Sequence, residues 1–75
     1  MASPKKQIQA LLNNKASKVG LSKQEALNFL AGTAGRTTQE AANLYAGTVG
    51  LSIQNALNAK VGTVGLSTQE AAELL

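Results

Sequence analysis

The sequence predicts an all-α fold, a compact array of short capped helices in repeats of about 15 residues. Three features predict it: a glutamine recurs at a fixed interval, a capping pattern precedes each helical segment, and a glycine follows most of them. Self-similarity at a fixed period indicates that one small unit is used several times. The glutamines that set the register are Gln24, Gln39, Gln54 and Gln69.

Each of four units opens with a pattern that favours a helix start. A Ser or Thr hydroxyl accepts a hydrogen bond from the backbone N–H three residues later, and a Glu at that position reaches back to the cap's own N–H. Ser52 has no such partner, because Asn55 replaces the glutamate. The predicted capping pairs are Ser22 with Glu25, Thr37 with Glu40, and Ser67 with Glu70.

Glycines mark where these helices end. Gly32, Gly47 and Gly62 each follow their cap by ten residues, and glycine commonly closes a helix in the left-handed conformation. A second glycine, at 35, 50 and 65, predicts a further bend in each connector. Val49 and Val64, between the two glycines, are expected to point inward. The predicted helices are 23–31, 38–46, 53–61 and 68–75.

The chain is predicted to be one small domain with two parts. Residues 1–15 form an N-terminal amphipathic helix, and residues 16–75 form four short helical repeats. Ser3 and Pro4 favour a helix start, since Ser suits the cap and Pro the first helical position. Ile8, Leu11 and Leu12 then fall on one face. A weaker fifth copy of the repeat is the alternative interpretation of residues 1–15.

The predicted core is thin and rich in alanine. Alanine occupies the same position in each repeat, at 26, 41, 56 and 71, where a small side chain lets neighbouring helices approach closely. The remaining core volume is assigned to larger side chains, namely Leu27, Phe29, Leu30, Leu44, Tyr45, Leu57, Leu74 and Leu75.

The composition offers little for catalysis or metal binding. There is no cysteine and no histidine, which excludes disulfides and Cys/His zinc sites. Three of the four glutamates are assigned to caps, as are Ser22, Ser52 and Ser67, so no enzymatic activity, catalytic residue or cofactor is expected. The connector Gly-Thr-Val-Gly-Leu-Ser lacks the preceding strand and the Gly-Lys-Ser/Thr of a phosphate-binding loop. No apolar run approaches membrane-spanning length, so no membrane partner is expected.

Charge is distributed unevenly, and a DNA-binding alternative follows from part of the pattern. Residues 1–36 carry a net charge of +5 and residues 37–75 a net charge of −2, within a total of +3. Two consecutive capped helices are similar to a helix-turn-helix, in which the second helix reads base edges. Gln54, Asn55 and Asn58 are the candidate base contacts. Against this interpretation, Lys60 is the only basic residue of the second helix. The connector from Gly47 to Leu51 is also longer than the usual turn of a helix-turn-helix.

Written as Ala-Gly-Thr-Val-Gly-Leu-Ser-x-Gln-x-Ala-Leu-Asn, the repeat resembles short repeats found in structural proteins of tailed bacteriophages. Such repeats occur in minor capsid, head-decoration and minor tail proteins. The match covers residues 31–35, 46–58 and 61–72, with a weaker match at 19–31, and about three quarters of the chain in all. It carries no functional residue to transfer, and Arg36 and Ser17 depart from it.

The resemblance implies a virion setting, with assembly in the bacterial host cytoplasm. The expected function is that of a non-enzymatic minor capsid or decoration protein that binds the major shell protein, or a tail protein, in many copies. A small helix-turn-helix-like DNA-binding protein is the alternative, so nucleic acid is a less favoured partner. The residues expected to contact the partner are Lys5, Lys6, Tyr45, Leu74 and Leu75.

Overall fold

A computed structural model of the chain describes residues 4–75, with side chains from residue 8 onward. The predicted cap Ser3 lies outside the described residues. The described part is all-helical, as the repeat pattern predicts, and contains no strand. Its five helices are α1 (Pro4–Lys15), α2 (Lys23–Ala31), α3 (Thr38–Ala46), α4 (Ile53–Val61) and α5 (Thr68–Leu74).

The start of each short helix is fixed by its cap. The hydroxyls of Ser22, Thr37 and Ser67 each accept a hydrogen bond from the N–H of a glutamate three residues on, and the glutamate carboxylate accepts one from the cap's N–H. Ser52 accepts the first of these bonds only. Since helices of nine residues or fewer are marginal alone in water, these caps locate the helices but packing must hold them.

Left-handed residues end the first four helices. Gly32 has a φ of 74°, and its N–H donates to the carbonyls of Asn28 and Phe29. The next residue, Thr33, donates its N–H to Asn28 at 2.8 Å, which completes a Schellman-type closure. After α1 the same place is taken by Ser17, whose φ is 58°. Ser17 is the only described residue other than glycine with a positive φ.

A buried asparagine ties each connector to the helix that it leaves. In α2, Asn28 donates from Nδ2 to the carbonyls of Gln24 and Arg36, and its Oδ1 accepts from the N–H of Arg36 and the hydroxyl of Thr33. Gln24 also donates to the Arg36 carbonyl at 2.7 Å. The connector therefore returns along its own helix to the first turn, and consecutive helices point the same way. The equivalent asparagines are Asn13, Asn43 and Asn58.

The helices form a closed ring. Each helix contacts the next one along the chain, and α5 contacts α1; no other pair of the five is in contact. The Cα atoms span 29 × 27 × 16 Å, the dimensions of a flat disc. Gln9 and Asn13 of α1 bond the carbonyl of Leu21 as their counterparts do in later repeats. The N-terminal helix therefore holds its connector as α2, α3 and α4 do, which favours the interpretation of residues 1–15 as a further copy of the repeat.

The core is thin and alanine-rich, as the sequence predicts. Nine residues with no exposed surface form one cluster, and six of them are alanines. Small side chains let the helices approach closely. Because they bury little apolar volume, the hydrogen bonds that clamp the connectors also contribute to holding the helices together. The nine are Leu12, Ala26, Leu27, Ala41, Ala42, Ala56, Leu57, Ala71 and Ala72.

Several apolar side chains that were expected inside lie outside. Val49 and Val64 are 93 % and 96 % exposed, so the prediction that they point inward is wrong. The connector is held on the outer side of its helix by the asparagine, and a side chain between its two left-handed glycines cannot reach the core. Phe29, Leu44 and Leu74 are also about half exposed, at 52 %, 49 % and 57 %.

Candidate interaction surface

The connectors present one nearly isolated apolar side chain each. Val19, Val49 and Val64 occupy the same position in their repeats and are 93–96 % exposed, and Ala34 is the fourth member of the set. We call the three residues the connector valines. Because each connector is clamped by a buried asparagine, these side chains are presented by ordered backbone.

A second apolar set lies beside the first, on the outward face of the helices. Leu44 of α3 and Val49 of the following connector line one groove, together with Arg36 and Glu40, with a volume of about 400 Å³. Phe29 and Ala34 line the corresponding groove one repeat earlier. We call these the rim grooves. The fifteen-residue repeat therefore produces similar apolar grooves side by side around the disc.

The amide side chains that line the rim groove of α3 already have partners. Asn43 lies in the groove of α3 but makes four hydrogen bonds, and Gln39 donates to the Leu51 carbonyl at 2.9 Å. Within the described residues, no buried side-chain nitrogen or oxygen lacks a hydrogen-bond partner. The amide side chains of this groove are therefore engaged within the protein, and the groove offers mainly apolar contact area.

Charged side chains flank the grooves. Arg36 and Glu40 line the groove of α3, and Lys18 lies over the ring of Phe29, with Nζ 4.3 Å from the ring centroid. The hydrogen bonds from the backbone and the hydroxyl of Thr37 lower the pKa of Glu40 from its ordinary value, and nearby Arg36 acts in the same direction. Glu40 therefore stays ionised at neutral pH while it caps α3.

The residues expected to contact a partner fall into three groups. Leu74 is exposed, whereas Leu75 and Tyr45 are half-buried and pack against the core cluster. The Tyr45 ring also lies under Lys60, whose Nζ is 4.5 Å from the ring centroid. The side chains of Lys5 and Lys6 lie outside the described part of the structure.

The side chains proposed for base reading are largely engaged within the protein. Asn58 is only 4 % exposed, and its amide bonds the main chain of Leu66. Gln54 donates to the same carbonyl at 2.8 Å. Asn55 is exposed. Of the three candidate base contacts, two already serve the connector.

Sequence reasoning missed both the asparagine clamps and the outward connector valines. The clamps left a signal, since asparagine recurs at 13, 28, 43 and 58 in register with the glutamines. The valines also left one, because Ala34 replaces valine at an equivalent position and two glycines flank both Val49 and Val64.

Within residues 4–75, no helix is long and apolar enough to cross a membrane. Likewise, no three His, Cys, Asp or Glu side chains of that part cluster in a way that would hold a metal ion. Comparisons of the chain with protein families, with curated proteins and with solved structures found no match.

Proposed function

We propose that this protein is a non-enzymatic structural protein of a bacteriophage particle, a minor capsid or decoration protein that binds the major shell protein through its rim grooves. The observation that carries the proposal is the exposure of the connector valines, at 93–96 %, on connectors that are hydrogen-bonded in place. The resemblance of the repeats to those of phage structural proteins supplies the virion setting.

The energetics favour a protein partner. Burial of a valine side chain stabilises a complex by about 1.5–3 kcal/mol. Binding also costs the ordering of loops and side chains at the interface. Valine has one side-chain torsion, and the connectors are already clamped, so this cost is small here. Val49 and Leu44 together would fill one pocket of a partner, and Val64 the next.

The repetition of the grooves suits a partner with a large surface. Repeat proteins bind through extended surfaces in which each unit supplies a similar patch. Lys18 and Arg36 lie beside the grooves of the basic half, where they would face an acidic region of the shell protein. Such charges steer association more than they set the final affinity.

The test is co-sedimentation of the isolated protein with particles that lack it. The double variant Val49→Ser/Val64→Ser should bind at least tenfold more weakly, since about 1.4 kcal/mol is a factor of ten. Its melting temperature should be unchanged, because both side chains are exposed. Ala34→Ser is the matched control, at the same repeat position but with little apolar area to lose.

Two results would contradict the proposal. One is full binding of the double variant to particles. The other is tight binding of the unmodified protein to duplex DNA, with an affinity that falls steeply with salt, and no binding to particles. The second result would favour the DNA-binding alternative.

A further inference from the structure

The rim groove of α2 is wider than its neighbours. Its volume is about 600 Å³, against about 400 Å³ for the groove of α3 and about 420 Å³ for the corresponding groove of α1. Val49 and Val19 line the two narrower grooves, whereas Ala34 takes the same repeat position in the wide one. Because alanine lacks the two methyl groups of valine, the groove of α2 has room for a larger side chain than its neighbours have.

Phe29 forms an aromatic wall of this groove and is 52 % exposed. One part of its ring is already covered, since Nζ of Lys18 lies 4.3 Å from the ring centroid. Lys18 lines the groove of α1 and not that of α2. The exposed remainder of the ring is therefore open to the groove of α2, where an aromatic occupant gains ring–ring contact in addition to apolar burial.

Glu25 supplies a polar group at the same groove, where its side chain is exposed. Its Oε1 accepts a hydrogen bond from the N–H of Ser22 at 2.8 Å, and a carboxylate has acceptor sites beyond one such bond. Backbone and side-chain hydrogen bonds with Ser22 lower the pKa of Glu25, so the carboxylate is ionised at neutral pH. Asn28, by contrast, already makes four hydrogen bonds. The acceptor capacity of Glu25 suits an occupant with an N–H or O–H donor.

We propose that the rim groove of α2 is a specificity subsite that binds one large aromatic side chain with a donor group, a tryptophan or a tyrosine of the shell protein. The ring packs between Phe29 and Ala34, and its N–H or O–H donates to the carboxylate of Glu25. Tryptophan and tyrosine are frequent anchors of protein interfaces. Ala34 is the specificity-determining residue, because it keeps this groove open. The identity of the partner protein rests on the proposed function, whereas the preference for an aromatic ring rests on the groove itself.

The first test gives the groove of α2 the valine of the other connectors. Ala34→Val should weaken binding to particles about tenfold or more, because the added methyl groups overfill the space that the ring occupies. Its melting temperature should be unchanged, since valine at this repeat position is 93–96 % exposed elsewhere. Ala34→Ser, which is close to alanine in size, is the control and should bind as the unmodified protein does. The inference is overturned if Ala34→Val binds as tightly as the unmodified protein or more tightly, which is the result expected of one more exposed valine.

The second test needs no particle and so separates the subsite from the proposed function. N-acetyl-L-tryptophanamide is titrated into the protein in the millimolar range and followed by the amide resonances of Phe29 and Ala34 in NMR spectra. Saturable shifts are expected there, with smaller shifts from N-acetyl-L-phenylalaninamide, which lacks the side-chain donor, and from N-acetyl-L-leucinamide.

Ala34→Val should abolish the saturable shifts caused by the tryptophan probe. The inference is overturned if this variant titrates as the unmodified protein does, or if the resonances of Leu44 and Val49 in the groove of α3 shift equally. Probe binding at Phe29 and Ala34 by a protein that does not bind particles would contradict the proposed function and leave the subsite in place. Binding to particles that depends on Val49 and Val64 but not on Ala34→Val would do the reverse.

Discussion

The side chain of Asn43 pairs with the main chain of Leu51 as a peptide group would. Its Nδ2 donates to the Leu51 carbonyl at 2.8 Å, and its Oδ1 accepts from the Leu51 N–H at 3.0 Å. The same two-bond pairing occurs in the other connectors. The asparagine side chain thus supplies the hydrogen bonds that a neighbouring strand or helical turn would make to this segment, so the connector keeps a defined shape. The other pairs are Asn13 with Leu21, Asn28 with Arg36, and Asn58 with Leu66.

The first prediction concerns this clamp. Asn43→Ala should lower the free energy of unfolding by about 2 kcal/mol, because it leaves the N–H of Leu51 without a partner, at about 1–3 kcal/mol for an unsatisfied group, while Gln39 still donates to the Leu51 carbonyl. Thr48→Val removes only the 2.8 Å hydroxyl bond to Oδ1, and should cost about 1 kcal/mol. Urea unfolding measures both. Asn14→Ala, at an exposed asparagine, is the control; an equal effect of Asn14→Ala and Asn43→Ala would refute the role of the clamp.

The fold was largely predictable from the sequence because its signals are local. A cap such as Thr37 and a closing glycine such as Gly47 act within one turn, and they placed the helix 38–46 as Thr38–Ala46. The clamp was missed because Asn58 bonds Leu66, which lies eight residues further along the chain. Without that partner in view, an asparagine within a helix is expected to be an exposed polar residue. The ring was not predictable, because the rotation from one repeat to the next depends on how the buried side chains pack.

The exposure of the apolar side chains at the candidate interaction surface was predicted only in part. Leu74 is exposed, but Val49 and Val64 are expected from the sequence to point inward and are exposed instead. The hydrophobicity of a valine side chain, taken alone, predicts that it points into the core. The position of Val49 outside the core follows from the asparagine that holds its connector, a tertiary contact whose sequence signals are the recurrence of asparagine and the replacement of valine by Ala34.

A second prediction concerns Ser17, whose φ of 58° is strained for a residue with a Cβ atom. Ser17→Gly should stabilise the protein by about 1 kcal/mol, since the left-handed conformation costs non-glycine residues about 1–2 kcal/mol. Gly32→Ala is the converse variant and should destabilise by a similar amount. An added Cβ at Gly32 meets no atom within 4 Å, so that effect would be purely conformational. Thermal unfolding measures both, and a destabilised Ser17→Gly variant would contradict the account.

A third prediction concerns the caps. Thr37→Ala and Ser67→Ala should each destabilise the protein by about 0.5–2 kcal/mol through the loss of a helix cap. Ser52→Ala should cost less than either, because no glutamate returns a bond to the backbone of Ser52. Denaturant unfolding of the three variants gives the comparison. If Thr37→Ala or Ser67→Ala left stability unchanged and abolished particle binding instead, those hydroxyls would belong to the interface.

The last prediction is a dependence of stability on pH. Backbone and hydroxyl hydrogen bonds from Ser22, Thr37 and Ser67 lower the pKa of Glu25, Glu40 and Glu70 below the ordinary value of 4.5. A carboxylate with a lowered folded-state pKa stabilises the folded state above its unfolded pKa, and this contribution disappears as the pH falls through the folded pKa. The melting temperature should therefore be nearly constant from pH 7 to 5 and fall below about pH 4.5.

The triple variant Glu25→Gln/Glu40→Gln/Glu70→Gln separates this effect from the hydrogen bonds themselves. Glutamine still accepts the bond from the cap's N–H in a capping box, but it does not titrate. The variant should fold near pH 7 and lose less stability than the unmodified protein between pH 5 and 3. If both proteins fell by the same number of degrees over that range, the acid sensitivity would come from groups other than the capping glutamates.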